Sequence, residues 1–337
     1  MKIWIDISSP PHVNFFIPFI KKFQKDVIVT ARDFGTIKGS LDRFKIKYKI
    51  IGSHGKTKEE RLIKHSERVK ELTKFISRKK PDVGLSKHSV ECPKVCYGLD
   101  IPNVSVLDHE TATIQNNLIV PLSDIVITPS FIPKSYLRKF GARKIMQFYG
   151  VSEYVNFNYK PSKEILNELG LSKDRIILSR SEPFLSSHVF HKSNLFPILK
   201  EVLEKRDDVQ VVFLPRNRTD EREFSKLDVI IPKKEVDTLS LYKFIDLMIG
   251  AGCCMNREAC LAGCPTISIY PDKLPAVDKF LINSGLMKYT LNKNQAVKWV
   301  MECINNGKIE KKKLEEIIKK FEDPYKVVMK AINMLVS

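Results

Sequence analysis

At 337 residues, 43% apolar and 28% charged, the chain is too long for one ordinary domain and too apolar to be disordered, so two lobes of roughly 150 residues are expected. Lys and Arg number 57 against 39 Asp and Glu, and the resulting +18 favours anionic partners without choosing among nucleic acid, an acidic membrane surface and phosphorylated metabolites. Asp6 interrupts any apolar start and no run of about 18 apolar residues follows, so neither a signal peptide nor a membrane span is expected, and seven cysteines fit a reducing cytoplasm better than a disulfide framework.

Along the chain, short β-rich runs alternate with longer helical patterns. The first half reads as strands at 2–7, 26–30, 47–51, 82–85, 103–106, 124–127 and 145–148. The clearest helix between them is Lys58–Lys79, where Leu62, Val69, Leu72 and Ile76 recur at helical steps. At 152–162 the string "SEYVNFNYKPS" loses the pattern and reads as a linker, with Ser162 opening the next helix. The second half repeats the alternation, with strands at 175–179, 209–214, 228–231, 246–249, 266–270 and 286–289 and helices at 295–305, 310–321 and 325–335. Such alternation predicts parallel strands with crossover helices. The fold class is α/β, with doubly wound Rossmann-like lobes at 1–151 and 163–322 and a last helical segment at 323–337. The basic runs "KKFQK", "RKK", "IPKK" and "KIEKKKLEEIIKK" read as solvated helix faces without interleaved aromatics, and no nucleic-acid motif accompanies them.

Ligands of open parallel sheets sit beyond the C-terminal strand ends, which directs attention to the residues just after each strand. After the first comes "SSPPHVNFF": the prolines predict a stiff extended turn, and 12–14 should open a helix. There His12 titrates near neutrality and can act as a general base, or it can simply cap the helix. "SKHSVE" offers His88 and Ser89, more simply read as a loop cap. "SVLDHETA" offers Asp108, His109 and Glu110, with Asp108 either a titrating group or a helix N-cap. In the second half "LSRSEPFLSSHVFHKSN" holds Arg180, Ser181, Ser186, Ser187, His188 and His191, and "LPRN" adds Arg216, a set suited to a diphosphate.

The stretch "MIGAGCCMNREACLAGCPTISIYP" is the most concentrated signal. Gly250 and Gly252 let the backbone turn and approach a ligand, the following helix N-terminus favours a phosphate, and Glu258 can accept two hydroxyl hydrogens from a ribose. A tight turn with Glu258 as an ordinary helix charge fits as well. Cys92 and Cys96 lie one helical turn apart without a matching pair at ligand spacing, and the cysteines at 253, 254, 260 and 264 read as buried hydrophobes, so no metal is expected.

Taken in order, "IDISSPPHVNFF", "VLDHETA", "PLSDIVITPS", "LPRN" and "GAGCCMNREACLAGCPTISIYP" resemble the prokaryotic family known as domain of unknown function 354, within the GT-B superfamily of glycosyltransferases and UDP-N-acetylglucosamine 2-epimerases. The resemblance implies two Rossmann-like lobes facing across a cleft, with the helix from Asp323 crossing back to the first lobe. It implies that His12 lies near an acceptor, as in the lipid-linked N-acetylglucosaminyltransferase of cell-wall synthesis, and that Gly250, Gly252 and Glu258 hold the nucleotide. Where such enzymes carry Asp-Gln at the donor sugar, this chain has Asp278-Lys279.

The leading expectation is a cytoplasmic glycosyltransferase, peripheral at the membrane if its acceptor is acidic or lipid-linked. A nucleotide-sugar or nucleoside diphosphate is its ligand, Arg180 supports the leaving group and no metal is needed. A nucleotide-sugar 2-epimerase working through Asp108 and Glu110 is the alternative. A non-catalytic basic protein binding nucleotides or nucleic acid is a third, kept open by charge alone.

Overall fold

The structure is a computed structural model that describes residues 1–172, 175–183, 191–306 and 311–336. The chain forms two compact units, Met1–Val155 with Phe321–Ser337, and Asn156–Lys320.

The first unit is built on a parallel sheet of β1 (Ile3–Ile7), β2 (Val27–Asp33), β3 (Lys49–Ser53), β4 (Val83–Lys87), β5 (Asn103–Val106), β6 (Ile125–Pro129) and β7 (Lys144–Phe148). Its strand order is β3-β2-β1-β4-β5-β6-β7. Every residue of β1, β4, β5 and β6 is buried, as expected of a parallel sheet covered on both faces.

In the second unit β8 (Arg175–Arg180), β9 (Val209–Phe213), β10 (Val229–Ile230), β11 (Leu247–Gly250), β12 (Thr266–Ser268) and β13 (Lys288–Tyr289) form a parallel sheet in the order β10-β9-β8-β11-β12-β13. Its core packs Ile177, Val211, Leu247, Ile249 and Ile267 against Ile198, Leu199 and Val202 of the helix Leu195–Lys205 and Ala296, Val297 and Val300 of the helix Lys293–Asn306. In both sheets the winding direction reverses beside the first strand, between β1 and β4 and between β8 and β11. Such a reversal opens a crevice at the C-terminal strand ends.

The thirteen expected strands are all present, several shorter than their sequence pattern: residues 228–231 contribute only Val229–Ile230, and 266–270 ends its pairing at Ser268. Lys58–Lys79 is a helix over its expected range, opened by a Thr57–Glu60 capping box and closed by Lys80 in the left-handed conformation. The first helix departs from expectation. It spans Pro10–Phe23, so the two prolines are its first two residues and not an extended turn. Proline's fixed φ suits that position, and its missing N–H removes a donor that would have had no intrahelical partner.

The final helix, Pro324–Val336, lies against the strands of the first unit. It buries Val328, Ala331 and Ile332, and Tyr325 rests 4.8 Å from the Phe19 ring.

Candidate functional site

The two reversals carry different chemistry. In the second unit Arg180 ends β8 in register with Gly250, which ends β11. Gly252 then caps the helix Cys253–Leu261 in an extended conformation. A Cβ at Gly252 would lie 2.5 Å from Arg216 Nη2, so the glycine admits the Arg216 guanidinium beside this helix N-terminus. Arg216 is fixed there by its Nε donating to the Ser181 carbonyl at 2.7 Å and its backbone N–H donating to Asp220 Oδ2 at 3.1 Å. Ser181 Oγ donates to the same carboxylate oxygen at 2.6 Å.

Beside it, Arg180 turns Nη1 to the Met255 sulfur at 3.2 Å, and its Nε is buried without a hydrogen-bond partner among the described residues. Burial depresses the pKa of both side chains; proximity to Arg180 adds to the effect on Arg216, whose value falls to about 9. Two half-buried cations near a helix N-terminus repel one another, and a doubly charged anion would relieve both.

Gly250 has a different neighbour from the one expected. The space its missing Cβ leaves is taken by Asn256, whose Nδ2 donates to the Gly250 carbonyl at 3.0 Å. Both glycines therefore make room for this chain's own side chains.

Glu258 sits on the inner face of the helix and accepts the Tyr242 hydroxyl at 2.8 Å. Burial, then the Glu258 charge, pushes that phenol up. Asp278 is held by Arg257 through two hydrogen bonds of 3.0 and 2.9 Å, with both side chains buried, and Lys279 is exposed. His191 is exposed, with Nδ1 2.7 Å from Asp272. Ser186, Ser187 and His188 lie outside the described residues.

In the first unit His12 is the third residue of its helix. It is 7% exposed, and its Nδ1 has no hydrogen-bond partner among the described residues. Burial, then the nearby Lys87, lowers its pKa well below the ordinary histidine value, with His88 and Arg32 adding and only Asp108 opposing. At neutral pH His12 is a free base. His88 follows β4 with a left-handed φ of 47°, its ring centroid 6.4 Å from that of His12.

Lys87 Nζ pairs with Asp108 Oδ2 at 2.6 Å and lies 4.8 Å from the centre of the Phe15 ring. Asp108 is not a helix N-cap: the helix Thr113–Ile119 begins after Ala112 without a side-chain cap. His109 meets Thr111 instead, and the Glu110 carbonyl accepts from Tyr136 and Asn116 while its carboxylate sits in a half-buried loop.

Beneath this rim lies a charged network that no motif in the sequence announces. Asp6, in the middle of β1, accepts from Thr30 at 2.7 Å, Ser89 at 2.6 Å and Arg68 at 2.6 and 3.1 Å. Arg68 also meets Glu91, which takes a bidentate pair from Arg32 and faces His65. Burial alone would raise the Glu91 pKa, but Arg32, then His65 and Arg68, hold it well below the carboxylate range. One signal was present in the sequence: Arg68 stands four and eight residues before Leu72 and Ile76, on the stripe that the helix buries.

The family model described as "Protein of unknown function (DUF354)" matches residues 1–336. An uncharacterized protein of Methanocaldococcus jannaschii is 39% identical over 318 residues, covering 91% of this chain and 92% of its own. Among solved structures, the UDP-GlcNAc 2-epimerase of Neisseria meningitidis bound to UDP-GlcNAc superposes with a TM-score of 0.71 at 15% identity, covering 99% of this chain and 100% of that one. The M. jannaschii UDP-GlcNAc 2-epimerase in complex with UDP-GlcNAc and UDP gives 0.70 at 18%, covering 95% and 99%. The Anabaena protein HepE in complex with UDP and glucose gives 0.65 at 15%, covering both chains fully. At these identities the likeness is one of fold, the GT-B fold. Among the described residues no helix is long and apolar enough to cross a membrane.

Proposed function

We propose that this chain, which belongs to the DUF354 family, is a nucleotide-sugar-dependent glycosyltransferase. The observation that carries the proposal is the pair of half-buried arginines, Arg180 and Arg216, beside the N-terminus of the helix Cys253–Leu261. The donor diphosphate sits there. Guanidinium groups and helix amides neutralise it, so the reaction needs no metal. Glu258 accepts ribose hydroxyls.

In the first unit His12, neutral and buried, takes the proton of the acceptor hydroxyl as that oxygen bonds to the sugar's anomeric carbon. The bond from that carbon to the diphosphate breaks, and the nucleoside diphosphate leaves with the electron pair. The bound UDP and UDP-GlcNAc of proteins sharing this fold support the ligand class.

Calorimetry with UDP and UDP-GlcNAc tests the proposal. Binding should persist in EDTA and weaken about 10- to 100-fold in Arg216→Leu, the loss of one charge-assisted contact of roughly 1.5–3 kcal/mol. A wild-type protein that binds neither these nor any other nucleoside diphosphate refutes the reading.

A second reading, a 2-epimerase, is favoured by the full-length likeness to two solved epimerases. It demands two mobile acid–base groups, and Asp108 is committed to Lys87. Incubation in deuterated water without any acceptor separates the two: deuterium in recovered UDP-GlcNAc supports the epimerase, whereas unlabelled sugar supports the transferase.

A further inference from the structure

We infer that His12 and His88 act together as a clamp on one hydroxyl: His88, protonated on Nδ1, donates to the acceptor oxygen, while that oxygen's own proton passes to His12. The inference deepens the transferase reading and rests on it.

The tautomer of His88 follows from its contacts. The backbone N–H of Asp108 points at His88 Nε2 from 3.0 Å, and Asp108 Oδ1 lies 3.2 Å from the same nitrogen. One nitrogen cannot accept from the first and donate to the second. The amide hydrogen is fixed by the backbone and cannot be turned away, whereas the carboxylate is engaged by Lys87 at 2.6 Å. Nε2 therefore accepts, and the ring proton of neutral His88 resides on Nδ1, available as a donor.

Three further observations give the donor a task. His88 holds a left-handed backbone conformation that a residue with a Cβ adopts at a cost, and such strain collects at functional positions. His12 is nine-tenths buried, and its Nδ1 has no hydrogen-bond partner among the described residues. His12, in the first turn of the helix after β1, and His88, directly after the adjacent β4, have rings 6.4 Å apart between centroids with planes at 26°, a spacing at which one oxygen atom can lie within hydrogen-bond reach of a nitrogen on each. A hydroxyl is the group that accepts from one imidazole and donates to another. Lys87 and Asp108 then serve the pair indirectly: their ion pair holds the Asp108 amide against His88 and places positive charge near His12.

In the transfer step the acceptor O–H bond breaks toward His12 as the oxygen bonds to the anomeric carbon, and the bond to the diphosphate breaks. His88 keeps its proton throughout and only orients the oxygen, so no other reactant is needed.

The experiment has two arms, both on the full chain. Imidazole nitrogen NMR at neutral pH should show His88 protonated on Nδ1 and His12 neutral; a His88 carrying its proton on Nε2, or a charged His12, overturns the clamp. The second arm measures release of UDP from UDP-GlcNAc to water, the simplest hydroxyl. His88→Gly, which suits the left-handed backbone, and His88→Asn, which tolerates it, should each lower kcat at least 10-fold at unchanged KM. His12→Ala with His88→Gly should be little worse than His12→Ala alone, because the two residues act as a unit. A fully active His88→Gly, or a double variant whose losses multiply, overturns the clamp. A wild type that releases no UDP while showing the expected tautomers instead overturns the transferase reading.

Discussion

Glu258 serves both the fold and the proposed ribose contact, and its substitutions separate the two. Glu258→Ala leaves the Tyr242 hydroxyl, on a 1% exposed side chain, without its acceptor. An unpaired buried hydroxyl costs about 1–3 kcal/mol, so chemical denaturation should show this variant destabilised by that amount. Glu258→Gln keeps an acceptor for Tyr242 and should hold most of the stability while its nucleoside diphosphate affinity falls about 10-fold, roughly 1.4 kcal/mol. Unaltered affinity in Glu258→Gln, measured by calorimetry, would remove the ribose role. Gly252→Ala puts a methyl against Arg216 Nη2, the far end of a flexible side chain, on extended backbone that alanine accepts. The fold should survive with Arg216 displaced and diphosphate affinity reduced; normal affinity would mean that the guanidinium does not face the ligand. His12, Arg180 and Arg216 are singled out in the sequence because each stands at or just after a strand end, and Glu258 because it lies on the helix that follows the glycine turn. Asp6 is not, because a lone charge inside a buried strand gives no sign in the sequence of the partner that neutralises it, and Lys87, though it closes β4, gives no sign that Asp108 is its partner. Asp278 entered through the resemblance alone, and nothing in the order of residues shows that Arg257, 21 positions earlier, also binds it.

Among the elements, strands and crossover helices were legible because their periods differ and a parallel sheet leaves little choice of connection. The start of Pro10–Phe23 differs from the sequence expectation because Pro-Pro is compatible with both an extended turn and a first helical turn, and burial of Val13, Phe15 and Phe16 decides for the helix. Lys58–Lys79 shows how an element joins the sheet by charge as well as by apolar contact. Its Arg68 spans Asp6 of β1 and Glu91 beyond β4, so Arg68→Met should strip two buried carboxylates of a shared cation and cost about 3–5 kcal/mol in denaturant unfolding. A cost below about 1 kcal/mol would mean that the network is ornamental. The same unit should lose stability in mild acid. Burial, then Arg32 and Arg61, lowers the His54 pKa to about 4, and His12 shifts in the same direction. As pH falls from about 6.5, the free histidine value, the unfolded chain takes up protons that the folded chain refuses until about pH 4, so stability present above 6.5 is lost across that window. Glu91, held low, adds its loss only below about pH 4.3, where a free glutamate begins to protonate. Thermal melts should therefore give a lower midpoint at pH 5.5 than at 7.5, and His54→Gln should flatten the difference. Equal midpoints in the wild type would contradict the shifts.

Across the whole molecule, the sequence places Phe321–Ser337 after every strand of the second unit, yet these residues belong to the first. Val328, Ala331 and Ile332 are fully buried there, Phe321 fills the space beside Gly150, and Glu322 accepts the Tyr149 N–H at 2.6 Å. Burying each large apolar side chain stabilises by about 1.5–3 kcal/mol, so removal of 321–337 should take several kcal/mol from the first unit. The second unit has its own core and should lose far less. The chain contains two tryptophans, and they divide between the units: Trp4 is buried in β1, donating to Thr30 at 2.8 Å, and Trp299 packs against the core of the second sheet. Trp4→Phe and Trp299→Phe backgrounds thus leave one reporter in each unit. Chemical unfolding of the truncated chain followed by Trp4 should shift to lower denaturant, while the transition followed by Trp299 stays near its full-length midpoint. If both reporters shift together, the units unfold as one cooperative block and the last helix stabilises them jointly. If neither shifts, the apolar residues of Pro324–Val336 contribute little to the first unit despite their burial.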